Sequence, residues 1–144
     1  MSSDTEATIA PAAPPSAVCC FSFIELTGEL SEKIARIAHD ADRAWCAAFG
    51  WPGSAGWSHC TPGDREARIE AVLMIITTPG ADASTLHDDW CEVMRRNGWR
   101  HGAAHDGIAR TSPGLIAFDR LPIDQQRRQA MFVGIVRALS LGLR

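Results

Sequence analysis

The chain has 144 residues, 46% apolar and 22% charged, which suits one globular domain able to bury a core without disulfide or metal staples. Its 17 acidic against 14 basic residues leave a net charge of −3, which argues against the basic footprint that nucleic-acid binding needs. No run of about 18 apolar residues occurs, so no membrane-spanning helix is expected.

Residues 1–17, MSSDTEATIAPAAPPSA, are rich in Pro and small side chains and poor in large apolar ones. They cannot bury enough surface to offset ordering entropy and are expected to form a disordered tail. They also lack the basic start and apolar run of a signal peptide. The folded domain is expected over residues 18–144. Its first segment, Val18 to Leu26, is an apolar run too short for periodicity to decide, and an edge strand or a strap over the core is expected there.

The first helix is expected after Ser31, a good N-cap, with Ile34, Ile37, Ala38, Ala41, Trp45 and Ala48 on its buried stripe. Gly50 and Pro52 stop it. The following linker keeps Trp51 and Trp57, so it should be packed rather than free. Thr61, Pro62 and Asp64 form a strong start for the second helix, which Pro79–Gly80 terminates. A third helix is expected from near Thr85 to Asn97–Gly98, with Leu86, Trp90, Val93 and Met94 on one face. Residues 99–122 lose periodicity, and only Leu115–Phe118 reads as a short strand. The last helix is expected from Pro122 to about Leu141, burying Met131, Phe132, Ile135, Val136 and Leu139, with Gln125 to Arg128 on its wet face. The expected fold is therefore mainly α, a compact four-helix domain with a minor β element.

Five cysteines, Cys19, Cys20, Cys46, Cys60 and Cys91, are odd in number and form no CxxC pair. Reduced cytoplasmic thiols are expected, with no metal and no cofactor. His-Asp pairs at 39–40, 87–88 and 105–106 invite comparison with metal-dependent phosphohydrolases, but such sites need more helices than this chain supplies. Ser112 lacks the Gly-x-Ser-x-Gly setting of a nucleophile elbow. No catalytic residue is expected, and the chain does not read as an enzyme.

The stretch HDDWCEVMRRNGWRHGAAHDGIARTSPGLIAFDRLP carries a pattern. His87, Trp90, Gly98, Trp99, Gly102, Asp106, Arg110, Pro113, Leu115, Leu121 and Pro122 stand at the spacing of the RyR domain, the repeat first named in ryanodine receptors. The segment 87–141 resembles that family. Departures occur at His101, where the family has Tyr, at Ser112 (His), Ala117 (Pro) and Phe118 (Tyr). His105 stands where Lys or Arg is usual, and the chain has no tyrosine. The first half, through His39 to Cys46, is similar to small single-RyR proteins of bacteria and their phages.

In the channels, RyR domains occur as cytoplasmic tandem pairs and are implicated in adenine-nucleotide binding. The resemblance thus implies a ligand-binding module, binding or sequestering an adenine-containing nucleotide. Its site would draw on Trp90, Trp99, His101, Asp106, Arg110 and Ser112. Tryptophan would stack a base, Arg110 would meet a phosphate, and the polar side chains would orient the ligand. The alternative is a protein-interaction or assembly module in which the tryptophans are interface anchors. A homodimer would then supply by symmetry the second copy that the tandem pairs contain.

Overall fold

The computed structural model describes residues 17–141, with side chains from Gly28 onward. The expected tail lies outside the described residues, apart from Ala17, which opens the first helix. Four α-helices and one two-stranded sheet make up the described part: α1 (Ala17–Phe49), α2 (Pro62–Thr77), α3 (Ala83–Arg96), β1 (Arg100–His101), β2 (Thr111–Ser112) and α4 (Ile123–Ser140). The mainly α class with a minor β element is what the structure shows. No helix among the described residues is long and apolar enough to cross a membrane.

The run Val18–Leu26 is helix, not strand or strap, and it is continuous with α1. Ser31 is not an N-cap; it lies inside α1, fully buried. Gly28 does not break the helix, since nothing crowds it and a helical glycine costs only about 1 kcal/mol against alanine. Gly50, at φ +68, ends α1 where a side chain would be strained.

The core is built where α1, α2 and α4 meet. Ile34 and Ala35 of α1, Val72 and Ile75 of α2, and Val133 and Val136 of α4 close on Trp57. The tryptophan linker is packed as expected: Trp57 is buried, and Arg65 of α2 donates to the carbonyls of Trp57 and Ser58, both at 3.0 Å. The inner face of α1 is rotated from the expected stripe. Ile37 is 50% exposed and Ala48 is exposed, while Ser31, Ala35, His39 and Cys46 point inward. A fully buried His39 sits in the middle of that face. Its Nε2 bonds the Ala55 carbonyl at 2.8 Å, with the Cys60 thiol 3.6 Å away.

α2 begins as expected, with the Thr61 hydroxyl accepting from the Asp64 amide at 3.2 Å. α3 starts earlier than Thr85. Asp82 is the cap, and Asp82 and Thr85 exchange side chain-to-backbone bonds in a capping box. α4 also differs from expectation. Leu139 is 42% exposed, the buried positions are Val133, Val136 and Ser140, and Arg128 is not on a wet face. Its guanidinium grips both oxygens of Asp42 on α1, with the Nη2 contact at 2.7 Å.

Candidate functional site

The segment between α3 and α4 hangs from two anchors. At its start, Gly98 (φ +80) turns the chain, and the Trp99 amide returns to the Met94 carbonyl at 3.0 Å. β1 and β2 then pair in parallel, Arg100 with Thr111 and His101 with Ser112. The expected strand at Leu115–Phe118 is absent. Leu115 is a buried plug, and Phe118–Arg120 forms a single 3-10 turn. Gly102 is required beside β2, because a Cβ there would meet the Thr111 side chain at 2.6 Å.

The second anchor is His87, buried on α3. Its Nε2 donates to the Ile116 carbonyl at 2.7 Å, and this sets the tautomer. Nδ1 is then an acceptor, filled by the Gln129 amide of α4 at 3.1 Å. Cys91 lies one turn on, its thiol 3.3 Å from the same Nε2. With Nε2 carrying a proton, the imidazole is no base for that thiol. Burial pushes the Cys91 thiol up as well, so it stays protonated and unreactive. The rings of Trp90 and Phe118 flank His87, at 5.7 and 5.9 Å between centroids.

The expected site residues do not converge on one cavity. Trp90 is 38% exposed, with Val93 beside it 44% exposed, so the buried face of α3 centres on Ala83, His87 and Cys91; of the expected face, Leu86 packs against the core and Met94 is half-buried. Trp90 lies over Gly114, where an added Cβ would sit 3.5 Å from the indole and 3.6 Å from the Ser112 hydroxyl. Ser112 itself is buried, and its hydroxyl accepts from the Gly114 amide at 3.3 Å. These residues form one group.

Trp99 and Arg110 form a second group, at the C-terminal end of α3. Trp99 is half-buried and stacks on His105, with centroids 5.1 Å apart at 28°. Arg110 holds a left-handed backbone, φ 53, which costs a non-glycine residue roughly 1–2 kcal/mol. Its guanidinium offsets that cost by donating to the Asn97 carbonyl at 2.8 Å, placing a cation at the negative end of α3. Arg96, Asn97, Gly98, Trp99 and Arg110 line an open recess. Arg96 on its rim pairs with Glu92 one turn back.

Asp106 and His101 complete the set. His101 is exposed on β1. Asp106 turns the loop tip, its Oδ1 accepting from the amides of Ile108 at 2.8 Å and Ala109 at 2.9 Å. Those two amides favour the carboxylate and hold its pKa below the ordinary range. A depressed pKa contributes stability that is complete above the unfolded value and is lost as pH falls through the folded one. The Ile108 and Ala109 amides should therefore lose exchange protection in acid. Hydrogen exchange after correction for intrinsic rates would show it; equal protection at about pH 6 and about pH 2.5 would contradict it.

Sequence reasoning missed the two histidine anchors and the Trp99–His105 stack. The signal for the anchors was present, since His39 and His87 each sit on the inner face of a helix, one helical step from apolar neighbours. Among the described residues, no group of three or more His, Cys, Asp or Glu side chains is arranged to hold a metal ion. The His-Asp pairs are spent separately, on two loop carbonyls and one ring stack. No family model matches the chain, and no curated protein matches it.

Proposed function

We propose that this domain is a non-catalytic binding module of the RyR type, and that the recess beside Trp99 takes an adenine-containing nucleotide. The observation that carries the reading is the shared border of that recess, which Trp99, Arg96 and Arg110 line together. A planar ring with a negative tail suits such a border. Stacking on tryptophan contributes about 1–3 kcal/mol, and a guanidinium adds a charge-assisted bond to phosphate. Arg110 uses one nitrogen on Asn97 and keeps further donors. The Arg96–Glu92 pair is an exposed one-turn contact, screened by solvent, so Arg96 is readily redirected. The resemblance over residues 87–141 supports the same ligand class. Asp106 and Ser112 serve by shaping the loop, and Trp90 stands outside the recess.

A second reading has its own observation. Trp90 and Val93 are exposed side by side on α3, which suits an anchor for a protein partner. Calorimetry with AMP, ATP, cyclic nucleotides and ADP-ribose separates the two. Binding is expected, weakened about 10-fold or more by Trp99→Ala or Arg110→Ala and unchanged by Trp90→Ala. Absence of heat with every nucleotide at millimolar concentration would sink the nucleotide reading and leave the Trp90 surface in front.

A further inference from the structure

We propose that a second recess, at the end of α2, binds small organic acids, with Arg137 holding the carboxylate and the loop after α2 carrying the apolar body. This does not depend on the nucleotide reading, and the two recesses share no residue. Ile76, Pro79, Gly80, Ala81 and Arg137 line the second recess, whose volume is about 510 Å³. That is the size of a small-molecule site.

The loop and α4 build it together. The Thr78 amide closes α2 on the Met74 carbonyl at 3.0 Å, and Gly80, at φ +78, turns the chain back. Ala81 is buried, Ile76 is half-buried and Pro79 is exposed. Arg137 comes from the last turn of α4. Its Nη2 donates to the carbonyls of Thr78 at 3.1 Å and Ala81 at 3.0 Å, which fixes the guanidinium before any ligand arrives.

A cation at the carbonyl end of a helix is a favourable cap in its own right. That role uses one nitrogen. Nε and Nη1 have no partner among the described residues, and Arg137 forms no ion pair there although it is half-buried. Arg128, also half-buried and on the same helix, is gripped by Asp42. Asp82, the acid nearest in sequence to the recess, is spent on the start of α3, its Oδ1 accepting from the Thr85 amide at 2.9 Å. Arg137 therefore keeps donors for a charge-assisted bond to an anion. Arg137 is also the single charged residue of the lining, beside the apolar side chains of Ile76, Pro79 and Ala81. One positive charge on an apolar border suits one negative charge on an apolar body, which is a carboxylic acid and not a free phosphate.

Heteronuclear spectra of the full chain, titrated with sodium hexanoate, test the proposal. The Gly80 and Ala81 amides are expected to shift, with a dissociation constant of about 1 mM, while the Gly98 and Trp99 amides stay in place. Acetate should bind at least about 10-fold more weakly, since it lacks the apolar body. Arg137→Gln should weaken hexanoate at least about 10-fold. Pro79→Glu keeps Arg137 and its bonds to the loop but sets a carboxylate on the rim of the recess, and it should weaken binding as much, whereas Pro79→Gln should not. Gly80 and Ala81 amides unmoved by about 10 mM hexanoate would overturn the proposal, as would hexanamide or inorganic phosphate moving them as strongly. Wild-type affinity in both Arg137→Gln and Pro79→Glu, each shown folded by its spectrum, would overturn it too.

Discussion

Replacing His87 by alanine is expected to lower stability by about 3–4 kcal/mol, the larger of the effects foreseen for single substitutions in this domain. The imidazole is 2% exposed and bonded at both nitrogens, to Ile116 of the loop and to Gln129 of α4. Its loss leaves a half-buried carbonyl and a half-buried amide without their partner, at up to about 1–3 kcal/mol each if water does not relieve them, and opens a void beside Trp90 and Phe118. Thermal unfolding at fixed protein concentration should show the midpoint down by on the order of 10 °C. His87→Gln should recover part of this, because its amide can still donate to Ile116. A midpoint for His87→Ala within about 2 °C of the wild type would mean that the loop is held by other contacts.

The second large effect is expected at the ion pair between α1 and α4. Asp42 and Arg128 are 86 residues apart in sequence, and their side chains are only 14% and 30% exposed. The carboxylate raises the Arg128 pKa further, which keeps the guanidinium charged at every working pH. Asp42→Ala strands that charge partly out of water, and a loss of about 2–3 kcal/mol in urea unfolding is expected, below the figure for full burial because solvent still reaches Arg128. The double variant Asp42→Ala/Arg128→Met should be more stable than Asp42→Ala alone, since an apolar pair needs no charge partner. If Asp42→Ala alone leaves the urea midpoint unchanged, the pair is not holding the helices together.

Legibility in the sequence followed the range of the interaction. Thr61 with Asp64, and Asn97 with Gly98, act within one turn, and the helix ends they mark are where they were expected. The run Val18–Leu26 misled because a short apolar segment has no period of its own and takes its conformation from the helix it continues. On α1 and α3 the expected buried faces were turned toward Ile37 and Trp90 for a common reason. A reading by hydrophobicity discounts histidine, yet His39 and His87 occupy the centres of the true inner faces. The strand pairing at Arg100–Thr111 depends on the close approach at Gly102, which no local pattern announces. Within the candidate site, the crowding of polar and aromatic residues after Trp99 was plain in the sequence. So was a turn capped by Asp106, whose partners lie two and three residues on; that Arg110 would be bonded to the end of α3 was not, because Asn97 is brought to it by the fold.

The histidine anchors also govern how the surface can come apart. A loop bonded only to itself opens alone, at little cost, whereas a loop bonded to a buried side chain on a core helix opens only when that helix lets go. The tip around Gly107 and Ile108 belongs to the first kind; Ile108 is 99% exposed and is held by Asp106 within the same turn. The stretch from Leu115 to Leu121 belongs to the second, with both ends buried and Ile116 tied to His87. A protease would thus find two arginines of unequal worth. Arg110 lies near the part that frays on its own, while Arg120 is offered only by molecules that have lost their cooperative fold, so cleavage at Arg120 is a clock for global unfolding.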